Sequence, residues 1–405
     1  MLALILCALG VVLFVKLIPW LRKYWMISSL PGPSGLPFIG VVSEMAGGGN
    51  DGMDFLRRQA RALRKQGKNV MTINIAGKII TAPLNGETVQ PILESETEIT
   101  KGVDYAFNEP WIGGGLIMST GDKWFTHRRL ITPTFHISRT DGYIEVMNRH
   151  TKILMDIFEE ALESSPKICE RVRLCALDVI CEVAMGKELD SQRNPRQPYV
   201  RALEEFNAMG WKYTMTPSMW ILWYPYYKAK YDSLVETLTG FTKKVLAERM
   251  QAIESGDCDG GDGERVQRKI FIDMLLELRE SDQFTMEDVR KEVDTFMFGG
   301  HDTTSATTCW AMWCLATNPD CQQRAYEEIH AIFGTSDRDC TAEDFKNMPY
   351  LDRCIKETMR KWPTIPAVLR NLQNDFTIGG HVVPKDTEVM ICPMILHDND
   401  QVYED

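Results

Sequence analysis

The stretch Lys291-Glu-Val-Asp-Thr-Phe-Met-Phe-Gly-Gly-His-Asp-Thr-Thr-Ser-Ala306 decides the fold of this chain. It lies inside a helical pattern that opens with a capping box, Thr285 and Asp288, and meets no proline until Pro319. At about 1.5 Å per residue the spacing predicts a helix roughly 50 Å long, enough to cross a whole domain. The centre of that helix is weak by composition. Gly299 and Gly300 each cost about 1 kcal/mol relative to alanine in a helix interior, and Thr303 and Thr304 add stiff β-branched side chains. Two readings follow. In one, the glycines let a flat ligand lie against bare backbone while Asp302 and Thr303 offer an acid beside a hydroxyl. In the other, the glycines serve a helix crossing and the threonines bond back to the preceding turn.

Composition narrows the class. Of 405 residues, 44% are hydrophobic, so a large core is within reach. The net charge of -11, with a pI near 5.3, argues against a nucleic-acid partner. None of the eleven cysteines forms a Cys-x-x-Cys pair, and several fall among apolar neighbours in helical patterns. That suits reduced, buried thiols better than a disulfide framework or a zinc site.

Residues 1–15 are uninterruptedly apolar, and the run resumes as Leu-Ile-Pro-Trp-Leu after Lys16, ahead of Arg22-Lys23. Residues 1–24 are therefore just long enough for a membrane anchor, with Lys16 snorkelling and Trp20 in the interface. A cleaved signal peptide fits less well, since the basic n-region and small-x-small site are missing. Positive charge only on the carboxyl side puts the bulk of the protein, residues 41–405, in the cytosol. Residues 25–40 include Pro31-Gly-Pro-Ser-Gly-Leu-Pro-Phe-Ile-Gly40, a stretch stiffened by proline. Residues 70–82 alternate as a hairpin turning at Gly77-Lys78, and 375–393 read as short strands turning at Gly379-Gly380 and Pro384-Lys385. Residues 143–185 carry the period of core helices. Residues 209–228 are unusually aromatic for a connecting segment and fit either a lid dipping into lipid or ordinary core packing. The acidic, glycine-rich stretch Ser255–Glu264 lacks EF-hand spacing and reads as a flexible surface loop.

Two further pairs share helical faces: Trp124 with Arg128, four apart, and Glu357 with Arg360, three apart. Taken together, these motifs resemble the cytochrome P-450 haem-thiolate monooxygenases. Gly-Gly-His-Asp-Thr-Thr is similar to that superfamily's oxygen-binding segment, and Lys-Glu-Thr-Met-Arg to its Glu-x-x-Arg motif. Glu-Val-Asp-Thr-Phe-Met-Phe resembles family four, the fatty-acid ω-hydroxylase group. The likeness covers essentially the whole chain and implies one large, mainly α domain with a small β region, the cytochrome P-450 fold. It implies that Trp124, Arg128 and Arg370 hold haem propionates, a task for which the planar arginine fork is suited. Gly299, Gly300 and Thr303 would face the haem, Asp302 and Thr303 would deliver protons, and Glu357 with Arg360 would shape the ligand side. The proline-rich stretch resembles the hinge of microsomal enzymes, which implies a single anchor in the endoplasmic reticulum membrane. The implied partners are NADPH–cytochrome P-450 reductase, cytochrome b5 as an optional second donor, and a lipophilic substrate such as a fatty acid or eicosanoid.

Two departures qualify what the resemblance implies. Gly299 stands where many family-four enzymes carry a glutamate esterified to a haem methyl, so the expected cofactor is haem b, held non-covalently. The segment Phe-x-x-Gly-x-Arg-x-Cys-x-Gly, which carries the iron-ligating cysteine, does not occur up to Asp405. The fold is thus expected to be incomplete at its C-terminus, with no metal ligand, and these residues alone to bind haem poorly. The alternative is a non-catalytic membrane protein that keeps the fold. A hydrolase built on His301 and Asp302 lacks a nucleophile in a recognisable turn.

Overall fold

A computed structural model describes residues 18, 21, 24–27, 29–33, 35–36, 39–45, 51–75, 77–135, 141–161, 167–215, 217–255 and 270–403; for 43, 45, 51, 141, 211, 214–215 and 217–224 it describes the backbone alone. The anchor expected over 1–24 and the acidic loop after Ser255 lie largely outside these residues. Among those described, no helix is long and apolar enough to cross a membrane. The chain divides into two compact units, residues 1–103 with 365–405, and residues 104–364.

The first unit opens with α1 (Val42–Met45) and α2 (Asp51–Lys65), then the hairpin β1 (Val70–Ile75) and β2 (Lys78–Pro83), then α3 (Gly86–Glu94). The hairpin turns where the sequence places it. Gly77 sits at φ +85°, and its N–H donates to Asn74 Oδ1 at 3.0 Å. The proline-rich stretch is not a free spacer, because it is stitched along β1. Thr72 N donates to Pro31 O at 2.7 Å, and Val41 N to Asn74 O at 2.9 Å. A Cβ at Gly32 would lie 1.9 Å from Thr72 O, and one at Gly40, which sits at φ +64°, would lie 1.7 Å from Asn74 O. Only glycine permits so close a backbone approach.

The second unit holds α4 (Glu109–Ile112), α5 (Gly121–Ile131), α6 (Asp141–Glu160), α7 (Ile168–Met185), α8 (Pro198–Met215), α9 (Pro217–Ser255), α10 (Phe271–Glu280), α11 (Met286–Thr317), α12 (Pro319–Phe333), α13 (Ala342–Lys346) and α14 (Pro349–Lys361). The long helix is α11. Its capping box forms as the sequence predicts: Asp288 N donates to Thr285 Oγ1 at 3.1 Å, and Thr285 N to Asp288 Oδ2 at 3.1 Å. Wholly buried Trp111 meets Phe206 and Phe298 edge-on at 5.0 and 5.5 Å, which gathers α4, α8 and α11 into one core. The aromatic segment 209–228 forms helix in α8 and α9 on both sides of residue 216, with Pro225 inside α9, rather than a connecting segment.

Returning to the first unit, β3 (Val368–Asn371), β4 (Phe376–Ile378), β5 (His381–Val383), β6 (Glu388–Ile391) and α15 (Pro393–Leu396) complete it. The main sheet runs β1-β2-β6-β3, with β2 and β6 parallel and the other pairs antiparallel; β4 and β5 pair separately. Alternation sends Met71, Ile73, Ile80, Ala82 and Met390 into one cluster and Val70, Ile79, Val389 and Ile391 into another, so both faces of the sheet are covered.

Burial resists the ionisation of Asp288, but hydrogen bonds from Lys123 and Thr285 outweigh it and hold the carboxyl down to about 2. A depressed carboxylate stabilises the fold above its unfolded value near 3.8, and that contribution fades as pH falls through about 2. Asp288→Asn is therefore expected to lower the urea midpoint at pH 7, with the gap from wild type closing below pH 4; a gap constant across that range would refute the assignment.

Candidate functional site

Glu292, Gly299 and Thr303 recur seven and four residues apart, so they lie along one face of α11. The two glycines behave differently. A Cβ at Gly299 would meet Ile117 Cδ1 at 3.8 Å, an ordinary contact, so that backbone is uncrowded. A Cβ at Gly300 would lie 2.7 Å from Ile180 Cγ1, because α7 crosses α11 there. The notch expected across both glycines is thus one residue wide, and Gly300 serves the helix crossing instead. Thr303 Oγ1 donates to Gly299 O at 2.6 Å, bonding back to the preceding turn.

The carboxyl of Asp302 is held from another helix. Its Oδ2 accepts from Asn207 Nδ2 at 2.6 Å, which turns it toward α8. Buried His301 sits 2.9 Å through Nδ1 from Met297 O, with Nε2 at 3.4 Å from Asp302 Oδ1. Burial pushes the imidazole below its ordinary pKa, against the pull of Asp302. A neutral ring donating from Nδ1 leaves Nε2 and Asp302 Oδ1 as two facing acceptors. They border a cavity of about 10 Å³, room for one water, whose walls include Arg173, Glu204 and Asn207.

On α5, His127 and Ile131 are buried, Trp124 is half-buried edge-on against Phe125 at 5.1 Å, and Arg128 is exposed. Arg128 makes no ion pair or side-chain hydrogen bond among the described residues. Glu357 and Arg360 form a two-pronged pair at 2.6 and 2.8 Å on α14, with the glutamate exposed. Arg370, on β3, belongs to the first unit, where it donates to Glu98 O at 2.8 Å. Lys101 pairs with it across an isolated β-bridge. Burial, and then the Arg370 guanidinium, push the Lys101 ammonium below its ordinary value. Sequence reasoning missed Lys101, since one lysine in Ile-Thr-Lys-Gly carries no pattern.

In the second unit Gly299 leaves backbone without a side chain, and Trp124 and Arg128 are an N–H donor and a cation of the kind that hold carboxylates; Arg370 and Lys101 are cations of the first unit. The buried cysteines are of another kind. Burial pushes the Cys175 thiol to about 12 and Cys392 to about 11, and Cys181 also lies well above its usual value. Neutral buried thiols are not thiolate ligands. No cluster able to hold a metal occurs among the described residues.

The two glycines predict opposite responses to substitution. Gly299→Ala should raise stability by up to about 1 kcal/mol through helix propensity. Gly300→Val should lower it by about 1–3 kcal/mol by overpacking Ile180. Urea titration of both variants checks the contrast, and equal responses would contradict the geometry.

Comparison with known proteins places the chain in a family. The cytochrome P-450 family model matches residues 30–405. Mouse cytochrome P-450 4V2 is 35% identical over 405 residues, covering 97% of this chain and 77% of the mouse protein. Human cytochrome P-450 4V2 is 38% identical over 329 residues, covering 78% of this chain and 63% of the human protein. Cytochrome P-450 4c3 of Drosophila melanogaster is 33% identical over 411 residues, covering 95% of this chain and 74% of its own length. Against the human relative the chain thus spans less than two thirds of the partner's length. A motif-bearing long helix and a whole-chain match agree: this chain belongs to the cytochrome P-450 family and to its family-four branch.

Proposed function

We propose that the chain belongs to a haem-dependent monooxygenase that hydroxylates a lipophilic substrate, a fatty acid, eicosanoid or similar lipid. The observation that carries this is the uncrowded backbone of Gly299 in the middle of α11, with Thr303 one turn further on. Bound haem would supply the oxidising chemistry, placing one atom of O2 into a C–H bond while the other leaves as water. By the family resemblance Trp124, Arg128 and Arg370 would hold its carboxylates, and Gly299 leaves no carboxylate at that position to link to it, so it would be held non-covalently. Glu357 and Arg360 keep α14 in shape. The chain's own part in the reaction is proton handling. Thr303 keeps a hydroxyl proton at Oγ1 beside Gly299, while the Asp302 side chain borders the small cavity, oriented by Asn207.

The electron donors in this reading are NADPH–cytochrome P-450 reductase and cytochrome b5. The apolar residues 1–24 would anchor the protein in the endoplasmic reticulum membrane, with residues 41–405 on the cytosolic side. An apolar substrate would then arrive from the bilayer.

The test uses the protein expressed in full, reduced and exposed to carbon monoxide. The red-shifted Soret band that gives the family its name supports the reading; a folded protein that takes up haem without that band overturns it. Thr303→Ala should cut hydroxylated product per NADPH consumed on the order of 100-fold while leaving haem uptake intact. Equal coupling in wild type and variant would remove Thr303 from proton delivery.

A further inference from the structure

Glu292 is wholly buried in α11, two helical turns before Gly299 and on the same face. It has two partners. Oε1 lies 2.6 Å from His127 Nδ1 on α5, and Oε2 accepts the Leu116 N–H at 3.0 Å. Each oxygen thus serves a different element, one the His127 ring and the other the Leu116 amide. The ring is itself buried and stacks on Phe284 at 4.3 Å, which fixes its plane. His127 lies on α5 between Trp124 and Arg128, and Leu116 adjoins Ile117, whose Cδ1 stands over Gly299. The loop between α4 and α5 is held hard against α11. A Cβ at Gly115 would fall 2.1 Å from Thr295 Oγ1 and 2.8 Å from Lys291 O.

A fully buried acid and histidine are a poor way to gain stability. Well-packed apolar residues of similar size often do as well or better, because both groups must leave water. Two directional bonds from one carboxylate do something apolar packing does not: they fix two separate elements at set distances from one point. We propose that Glu292 is a positioning residue that ties α5, the helix of Trp124 and Arg128, and the Gly113–Ser119 loop to the face of α11 that bears Gly299. One carboxylate then sets both the stance of Trp124 and Arg128 and the height of Ile117 above the open backbone. Lys123, which donates to Asp288 at 2.6 Å, is a second and more exposed tie between α5 and α11. This inference rests on the proposal that the Gly299 face is where substrate meets cofactor.

The test compares Glu292→Gln, which keeps the shape and an acceptor oxygen, with Glu292→Met, which keeps only the size. Hydrogen exchange of the full protein without added haem is read first. In Glu292→Met the amides of 116–119 and of α5 should exchange about ten-fold faster, while those of α7 and α10 stay near wild type; Glu292→Gln should restore most of the protection. Unchanged exchange in 116–119 overturns the tie, and so does a uniform rise throughout the unit, which marks a merely structural role. If Glu292→Met does not fold, His127→Gln carries the same reading for α5 alone. The second arm is the dissociation constant of a medium-chain saturated fatty acid in the haem-loaded protein, expected to weaken about ten-fold in Glu292→Met. Local loosening with unchanged fatty-acid affinity overturns the role at the site. A protein that takes up no haem fails the proposed function instead, and leaves the exchange arm readable.

Discussion

The second unit depends on how closely α7 can approach α11. At Gly300 the absent side chain is replaced by Ile180, and that single accommodation brings two long helices into contact at the point where α11 must also carry its chemistry. Interiors packed at crystal density transmit strain rather than absorb it. The neighbouring glycine is thereby free to stay bare. One member of the pair joins the helices and the other leaves a surface open, although they are adjacent in sequence and identical in kind.

The ionisable side chains of α11 include two groups along its length. Near its start, Arg290 donates to Asp294 and to the Trp111 carbonyl, while Thr242 donates to the other oxygen of Asp294. Glu292 between them faces α5 and the loop instead. A helix interior carrying an arginine and two acids at under 5% exposure is costly unless each charge has its partners in place, and here each has. Further along, His301 and Asp302 border a small cavity of about 10 Å³.

Much of the fold was legible because its signals are local. The capping box of Thr285 and Asp288, the hairpin at Gly77 and the paired turn at Gly379 and Gly380 each lie within a few residues, and each formed as read. The chemistry around the site was legible only as residue types. Asp302 meets Asn207 across 95 positions, and nothing in either segment announces the other. The sequence allowed an open face or a helix crossing at the glycine pair; the structure has both, one at each residue, and the choice was made by Ile180 on a helix far away in the chain. Lys101 stayed invisible because its neighbour Arg370 is brought alongside only by the return of the chain to the first unit.

The stitching of residues 31–41 along β1 has a mechanical meaning. A flexible linker would let whatever precedes it rotate freely and would transmit almost no torque. Backbone bonds at Pro31 and Val41, with glycines pressed onto Thr72 and Asn74, make this stretch a bracket bolted to a sheet edge. A tilt imposed on the chain ahead of residue 31 is therefore felt at once by β1, and the attitude of the whole first unit is set by a handful of amide bonds rather than by the slack of a leash.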